Sequence, residues 1–115
     1  MSVAYAVVAI GLSLALVASG AAKLTKQPRV VDAIGSLGVP LAWFPALAMA
    51  EAAGAVGLVI GLWVPALGIA AGIGVVLYFT GAVATHVRAH DRELAAPLAL
   101  GLLATAAVVL RLVSY

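Results

Sequence analysis

Four long stretches of this chain are nearly free of charge. Residues 3–22 carry none, 41–62 carry only Glu51, 66–87 carry a single histidine, His86, and 94–113 carry only Arg111 close to the end. A helix that crosses the hydrocarbon core of a bilayer needs roughly 20 predominantly apolar residues, and each stretch has that length. The runs are apolar on every side and lack the alternation of a membrane β-strand. The pattern predicts an all-α integral membrane bundle of four transmembrane helices, one transmembrane domain over residues 1–115. Composition narrows the field further. Only 9% of the 115 residues are charged, against about 25% in an average soluble domain, too few to cover a water-facing surface. This argues against a soluble globular domain, a disordered chain and a nucleic-acid partner. The chain has no cysteine, which excludes disulfides, thiolate metal sites and a Cys nucleophile.

The segments between the spans have their own grammar. Residues 23–40 hold Lys23, Lys26, Arg29 and Asp32 with Pro28 and Pro40. Within them Val30, Val31, Ile34 and Leu37 recur at helical spacing, with Arg29, Asp32 and Ser36 between. That spacing predicts a short amphipathic helix on the membrane surface, with Gly38 ending it. Trp63-Val64-Pro65 reads as a tight turn, Pro65 opening the next helix. Residues 88–93 (RAHDRE) read as a compact charged turn. Pro45 and Pro97 fall in first turns, where a missing N–H matters little. The loops after the first and third spans share one side and hold Lys23, Lys26, Arg29, Arg88 and Arg92, whereas Arg111 stands alone on the other. The positive-inside rule puts the basic loops in the cytoplasm and both termini outside, in a multi-pass protein of the cell membrane. Ala18-Ser19-Gly20-Ala21 faintly resembles a cleavage site, but no basic segment precedes it and Lys23 follows, so the first span is expected to be retained. Trp43 and Trp63 bracket the second span like interfacial anchors.

Lipid gives helices no hydrophobic reason to associate, so small residues that allow close approach mark the seams. Ala46, Ala50, Gly54, Gly57 and Gly61 form such a stripe in the second span, Gly68, Gly72, Ala70, Gly74 and Gly81 in the third, Gly11, Ala15 and Ala22 in the first, and Gly101 and Thr105 in the fourth. These are read as seams within one chain first and as a homodimer seam second.

Glu51 is the only carboxylate inside a span. Ionised and alone at that depth it would cost several kcal/mol, so it must face the bundle interior, pair, or hold a proton. Such a carboxyl suits proton transfer or a ligand clamp. The plainer alternative is a protonated Glu51 making one interhelical hydrogen bond. Counting depth from the basic end of each span puts Ser13, Tyr78 and Thr105 in the same layer, a set of candidate ligand-binding residues, although Ser13 and Thr105 could equally bond their own helices. Thr85 and His86 lie two turns from Tyr78 and suggest a path from the cytoplasm, His86 being suited to pass protons near neutral pH. Glu51, Tyr78 and His86 are thus the candidate catalytic groups. His86 and His90, four apart, with Asp91 or Glu93 could ligate a metal, but no metalloenzyme motif supports it and no metal is expected. Lys23, Lys26, Arg29, Arg88, His90 and Arg92 read as a cytoplasmic surface for lipid headgroups or a partner. Lys23 is expected to snorkel to the phosphates, since its depth differs from that of Glu51 by roughly 15 Å of helix rise.

In order along the chain, several short motifs resemble those of the DoxX-like family of small four-helix membrane proteins. They are Gly20-Ala21-Ala22-Lys23-Leu24 closing the first span, Leu37-Gly38-Val39-Pro40 closing the loop, Glu51 followed by Gly54-Ala55-Val56-Gly57-Leu58, Pro65 with Gly68, and Ala82 with His86. The resemblance covers nearly the whole chain and implies a four-helix bundle in the cytoplasmic membrane. Relatives include a subunit of a thiosulfate:quinone oxidoreductase and a membrane partner in redox-defence complexes, so it further implies a bound quinone or lipid, a soluble or membrane oxidoreductase partner, and an accessory role in a redox or envelope process. No resident cofactor is evident in the sequence. Two other readings stay open. One is a membrane-embedded acid–base enzyme, an isomerase, cyclase or hydrolase acting on a hydrophobic substrate through Glu51 and Tyr78. The other is a proton-coupled transporter, although small multidrug transporters carry their membrane glutamate in the first span.

Overall fold

The structure is a computed structural model that describes residues 3–89 and 94–114. Among these, every regular element is helical: α1 (Val3–Leu24), α2 (Pro28–Gly35), a 3-10 turn (Leu41–Trp43), α3 (Phe44–Ile60), α4 (Pro65–Arg88) and α5 (Ala95–Val113). Four of these segments are long and apolar enough to cross a membrane, with the 3-10 turn leading into α3. The bundle measures 41 × 25 × 17 Å, matching a hydrocarbon core of about 30 Å with its interfaces.

Helices form over the four predicted stretches, with ends that shift for local reasons. α1 runs two residues past 22 and closes in a Schellman motif: Gln27 N–H donates to Ala22 O at 3.2 Å and Lys26 N–H to Lys23 O at 3.2 Å. Lys26 takes the left-handed place, with φ 52°. The short amphipathic helix forms but stops at Gly35, two residues before the predicted Leu37. Gly38, φ 84°, then turns the chain. The second span starts as the 3-10 turn, so α3 proper begins three residues later than position 41. Pro45 and Pro65 stand in the first turns of α3 and α4, and Trp43 and Trp63 at the two ends of α3 are exposed.

Helices α1, α3, α4 and α5 pack in that cyclic order, each against the next. α1 lends Tyr5, Ala9, Leu12 and Leu16 to the core, a repeat of four, three and four that keeps one face inward. They meet Ala55 and Leu58 of α3, Val75 and Phe79 of α4, and Ala104 and Ala107 of α5. Val7, Leu14, Val17, Leu77, Leu102 and Val109 point outward, as lipid-facing residues must. The seams follow only part of the predicted small-residue set: Gly54, Gly61, Gly68 and Gly72 are buried in them, whereas Ala46, Ala50 and Ala70 are exposed. A Cβ on Gly61 or Gly68 would strike the other residue's Cα and the Tyr5 hydroxyl, so only glycine fits where α3 turns into α4. Gly11, Gly74 and Gly81 have open space where a Cβ would stand.

Candidate functional site

Glu51 is 2% exposed and joins three helices. Its Oε1 accepts a hydrogen bond from Tyr78 OH of α4 at 3.0 Å and forms an ion pair with Lys23 Nζ of α1 at 2.5 Å. Lys23 Nζ also donates to Ser19 Oγ at 2.7 Å. Glu51 Oε2 is buried without a hydrogen-bond partner. The carboxylate is thus satisfied on one side and orphaned on the other.

The pairing overturns the expectation that Lys23 lies at the membrane surface. Gly20 and Ala48 mark where α1 and α3 touch, a Cβ on Gly20 falling 3.4 Å from Ala48 O. The helices are antiparallel, and Lys23 and Glu51 each lie three residues beyond that contact. Their axial separation is therefore about 9 Å, not 15 Å. Helical side chains lean toward their own N-terminus, so Lys23 reaches into the bundle while Glu51 reaches back to meet it.

The structure brings only part of the expected polar layer together. Tyr78 does converge on Glu51. Ser13 lies a turn farther from the basic end and donates to Ala55 O at 3.2 Å. Thr105 is exposed and donates within its own helix to Gly101 O at 2.9 Å. Thr85 likewise donates to Gly81 O at 2.8 Å, and His86 Nδ1 pairs with Ala82 O at 2.7 Å. Thr105 instead lines a separate depression of about 230 Å³ between α4 and α5. Lys26, Arg29 and Arg88 are exposed, while Val30, Val31 and Ile34 on the apolar face of α2 are half-buried. His90 and Arg92, with the metal candidates Asp91 and Glu93, lie outside the described residues. Among the described residues no three His, Asp or Glu side chains cluster as metal ligands would.

A groove of about 510 Å³ runs between α3 and α4, within the range of small-molecule sites. Ala50, Ala53, Gly74 and the exposed Leu77 border its mouth, Leu16, Gly54 and Val75 its floor, and Glu51 and Tyr78 stand in its wall, the Glu51 side chain sealed behind it. The small residues make this space. At the floor glycine lets α3 and α4 close tightly, since a Cβ on Gly54 would meet Val75 Cγ2 at 2.7 Å; at the mouth Ala50, Ala53 and Gly74 are too short to fill the gap.

Sequence reasoning missed a second buried charge. Arg111 is 3% exposed at the opposite end of the bundle. Its Nε donates to Gly61 O at 2.9 Å, and its guanidinium stacks 5.3 Å from the Tyr5 ring centroid. Tyr5 OH donates to Leu58 O at 2.8 Å. A cation at the carbonyl end of α3 is favoured by the helix dipole, so this cluster ties α1, α3 and α5 together. The available signal was an arginine still inside an apolar helical run.

A model of the DoxX-like family matches residues 7–109. No curated protein and no solved structure matches the chain at a significant level. With nine-tenths of its length matched, the chain belongs to the DoxX-like family, and its four candidate spans make it a membrane protein of that family.

Proposed function

We propose that this DoxX-like membrane protein holds an apolar, quinone- or lipid-like molecule in the α3–α4 groove, with Glu51 at the polar end of the site. The observation that carries this is the placement of Glu51 and Tyr78 in the wall of a groove otherwise lined by Ala, Gly, Leu and Val. A buried carboxylate that served only to join helices would not need a cavity beside it. Lys23 neutralises the charge of Glu51, so the site as a whole does not repel an apolar ligand. In this reading the protein is an accessory or subunit of a membrane redox or envelope process, and the exposed Lys26, Arg29 and Arg88 meet lipid headgroups or a partner on the cytoplasmic side.

A membrane-embedded acid–base enzyme is the second reading. The hydrogen bond between Tyr78 and Glu51 favours it, since it links two proton-carrying groups at the groove. Native mass spectrometry of the protein extracted gently from its own membrane separates the outcomes. The wild type is expected to carry an apolar small molecule that Glu51→Gln lacks. Conversion of that molecule by the isolated wild type would establish the enzyme. A wild type free of any ligand, beside a folded but less stable variant, would reduce Glu51 to a packing residue.

A further inference from the structure

Arg111 carries a positive charge that no carboxylate side chain answers. The acidic residues are Asp32, Glu51, Asp91 and Glu93. Glu51 is taken by Lys23. Asp32 falls in the segment joining α1 to α3, and Asp91 and Glu93 in the one joining α4 to α5; both segments join their spans at the end of the bundle away from Arg111. A guanidinium stays charged at any physiological pH, and this one belongs to a residue only 3% exposed. Its neighbours offer partial relief. Nε donates to Gly61 O at 2.9 Å, Nη1 to Ser114 O at 3.3 Å and Ser114 Oγ at 3.4 Å, and the Tyr5 ring centroid lies 5.3 Å away. These are dipoles and a ring face, and a helix end supplies about half an elementary charge.

Nη2 is where the guanidinium opens outward. Among the described residues it has no hydrogen-bond partner. Nor is it sealed, since Glu51 Oε2 is the only sealed side-chain polar atom without a partner among those residues. Its hydrogens therefore reach the surface of the bundle with nothing to receive them. That surface lies at the level of lipid headgroups. Trp63, two residues beyond Gly61, is 75% exposed, the place of an interfacial anchor, and Arg111 stands in the last turn of α5. We infer that Arg111 binds a phosphate oxyanion at this end of the bundle through Nη2. The anion supplies the missing negative charge and accepts charge-assisted hydrogen bonds from the guanidinium edge. A phospholipid headgroup and free phosphate share this chemistry. The site is separate from the α3–α4 groove.

The test reads nitrogen–phosphorus dipolar recoupling by solid-state NMR. Arg29, Arg88 and Arg92, the other arginines, are replaced by Gln in the full chain, so that arginine labelled at its Nη nitrogens reports Arg111 alone. Arg111 itself is untouched, and Arg29 and Arg88 are exposed, so the cluster around Arg111 keeps its native residues. The chain is placed in digalactosyl-diacylglycerol bilayers, which contain no phosphorus. Phosphatidylglycerol is then added at a few molecules per chain, too dilute for chance contact to dominate. Recoupling is expected to remove most of the Arg111 Nη signal, identifying a lipid headgroup as the anion. A signal that persists with phosphatidylglycerol but is lost once inorganic phosphate is added would support the oxyanion site and assign it to free phosphate. A signal that survives both additions would overturn the proposal and leave Arg111 a joint between helices only.

Discussion

Lys23 Nζ lies 2.5 Å from Glu51 Oε1, although the two residues stand about 9 Å apart along the bundle axis. Two long side chains, leaning toward each other from antiparallel helices, close the gap. The pair converts the single carboxylate of the apolar spans from a liability into a neutral, hydrogen-bonded joint between α1, α3 and α4.

Breaking the pair from one side should be far worse than removing it whole. Lys23→Met leaves a buried carboxylate and is expected to lower stability by about 3–5 kcal/mol. Lys23→Met combined with Glu51→Leu should recover most of that loss. Denaturant titration of both variants in mixed micelles checks this; a single variant as stable as the wild type would mean the pair is not buried.

Tyr78→Phe removes one hydrogen bond to the carboxylate and leaves the ion pair. A loss of about 1.5–3 kcal/mol is expected, smaller than for Lys23→Met in the same assay. A larger loss than for Lys23→Met would assign the main support of Glu51 to Tyr78.

The turn from α3 into α4 should tolerate no side chain. Gly61→Ala and Gly68→Ala push a methyl into backbone and the Tyr5 hydroxyl, at an expected cost of about 1–3 kcal/mol. Gly11→Ala, facing open space within α1, should raise stability by about 0.5–1 kcal/mol. Thermal melts that rank the variants the other way would contradict the packing described.

At the opposite end, Arg111→Lys keeps the charge but loses the planar group stacked on Tyr5. Lysine does not replace arginine at a stacked site, so a destabilisation approaching that of Arg111→Met is expected. Full stability of Arg111→Lys would reduce the cluster to a simple charge effect.

Much of the fold was legible because a bilayer imposes length and polarity on every span. The four apolar runs, the proline-opened helices and the small-residue seam at Gly61 and Gly68 all follow from those demands. Glu51 and Tyr78 were legible as partners because each is conspicuous in its span. Lys23 was not, because snorkelling to a headgroup and reaching inward use the same side chain, and only the contact of Gly20 with Ala48 decides between them. Ser13 and Thr105 shared an expected depth with Glu51, but Ser13 faces α3 a turn farther along, at Ala55, and helix rotation turns Thr105 outward to bond its own helix. Arg111 was passed over because terminal arginines in spans usually reach outward, whereas here Tyr5 and the end of α3 draw it in.

The central claim is that the α3–α4 groove beside Glu51 is a binding site, and photolabelling tests it most directly. A long-chain alcohol with a diazirine in its chain is added to the protein in nanodiscs, irradiated, and the labelled residues are mapped by fragmentation. Labels concentrated on Ala50, Ala53, Gly74 and Leu77, and lost in Gly74→Phe, are the predicted result. Labels spread evenly over the outward residues of all four helices, Val7, Leu14, Leu102 and Val109 among them, would show that the groove is ordinary lipid-facing surface.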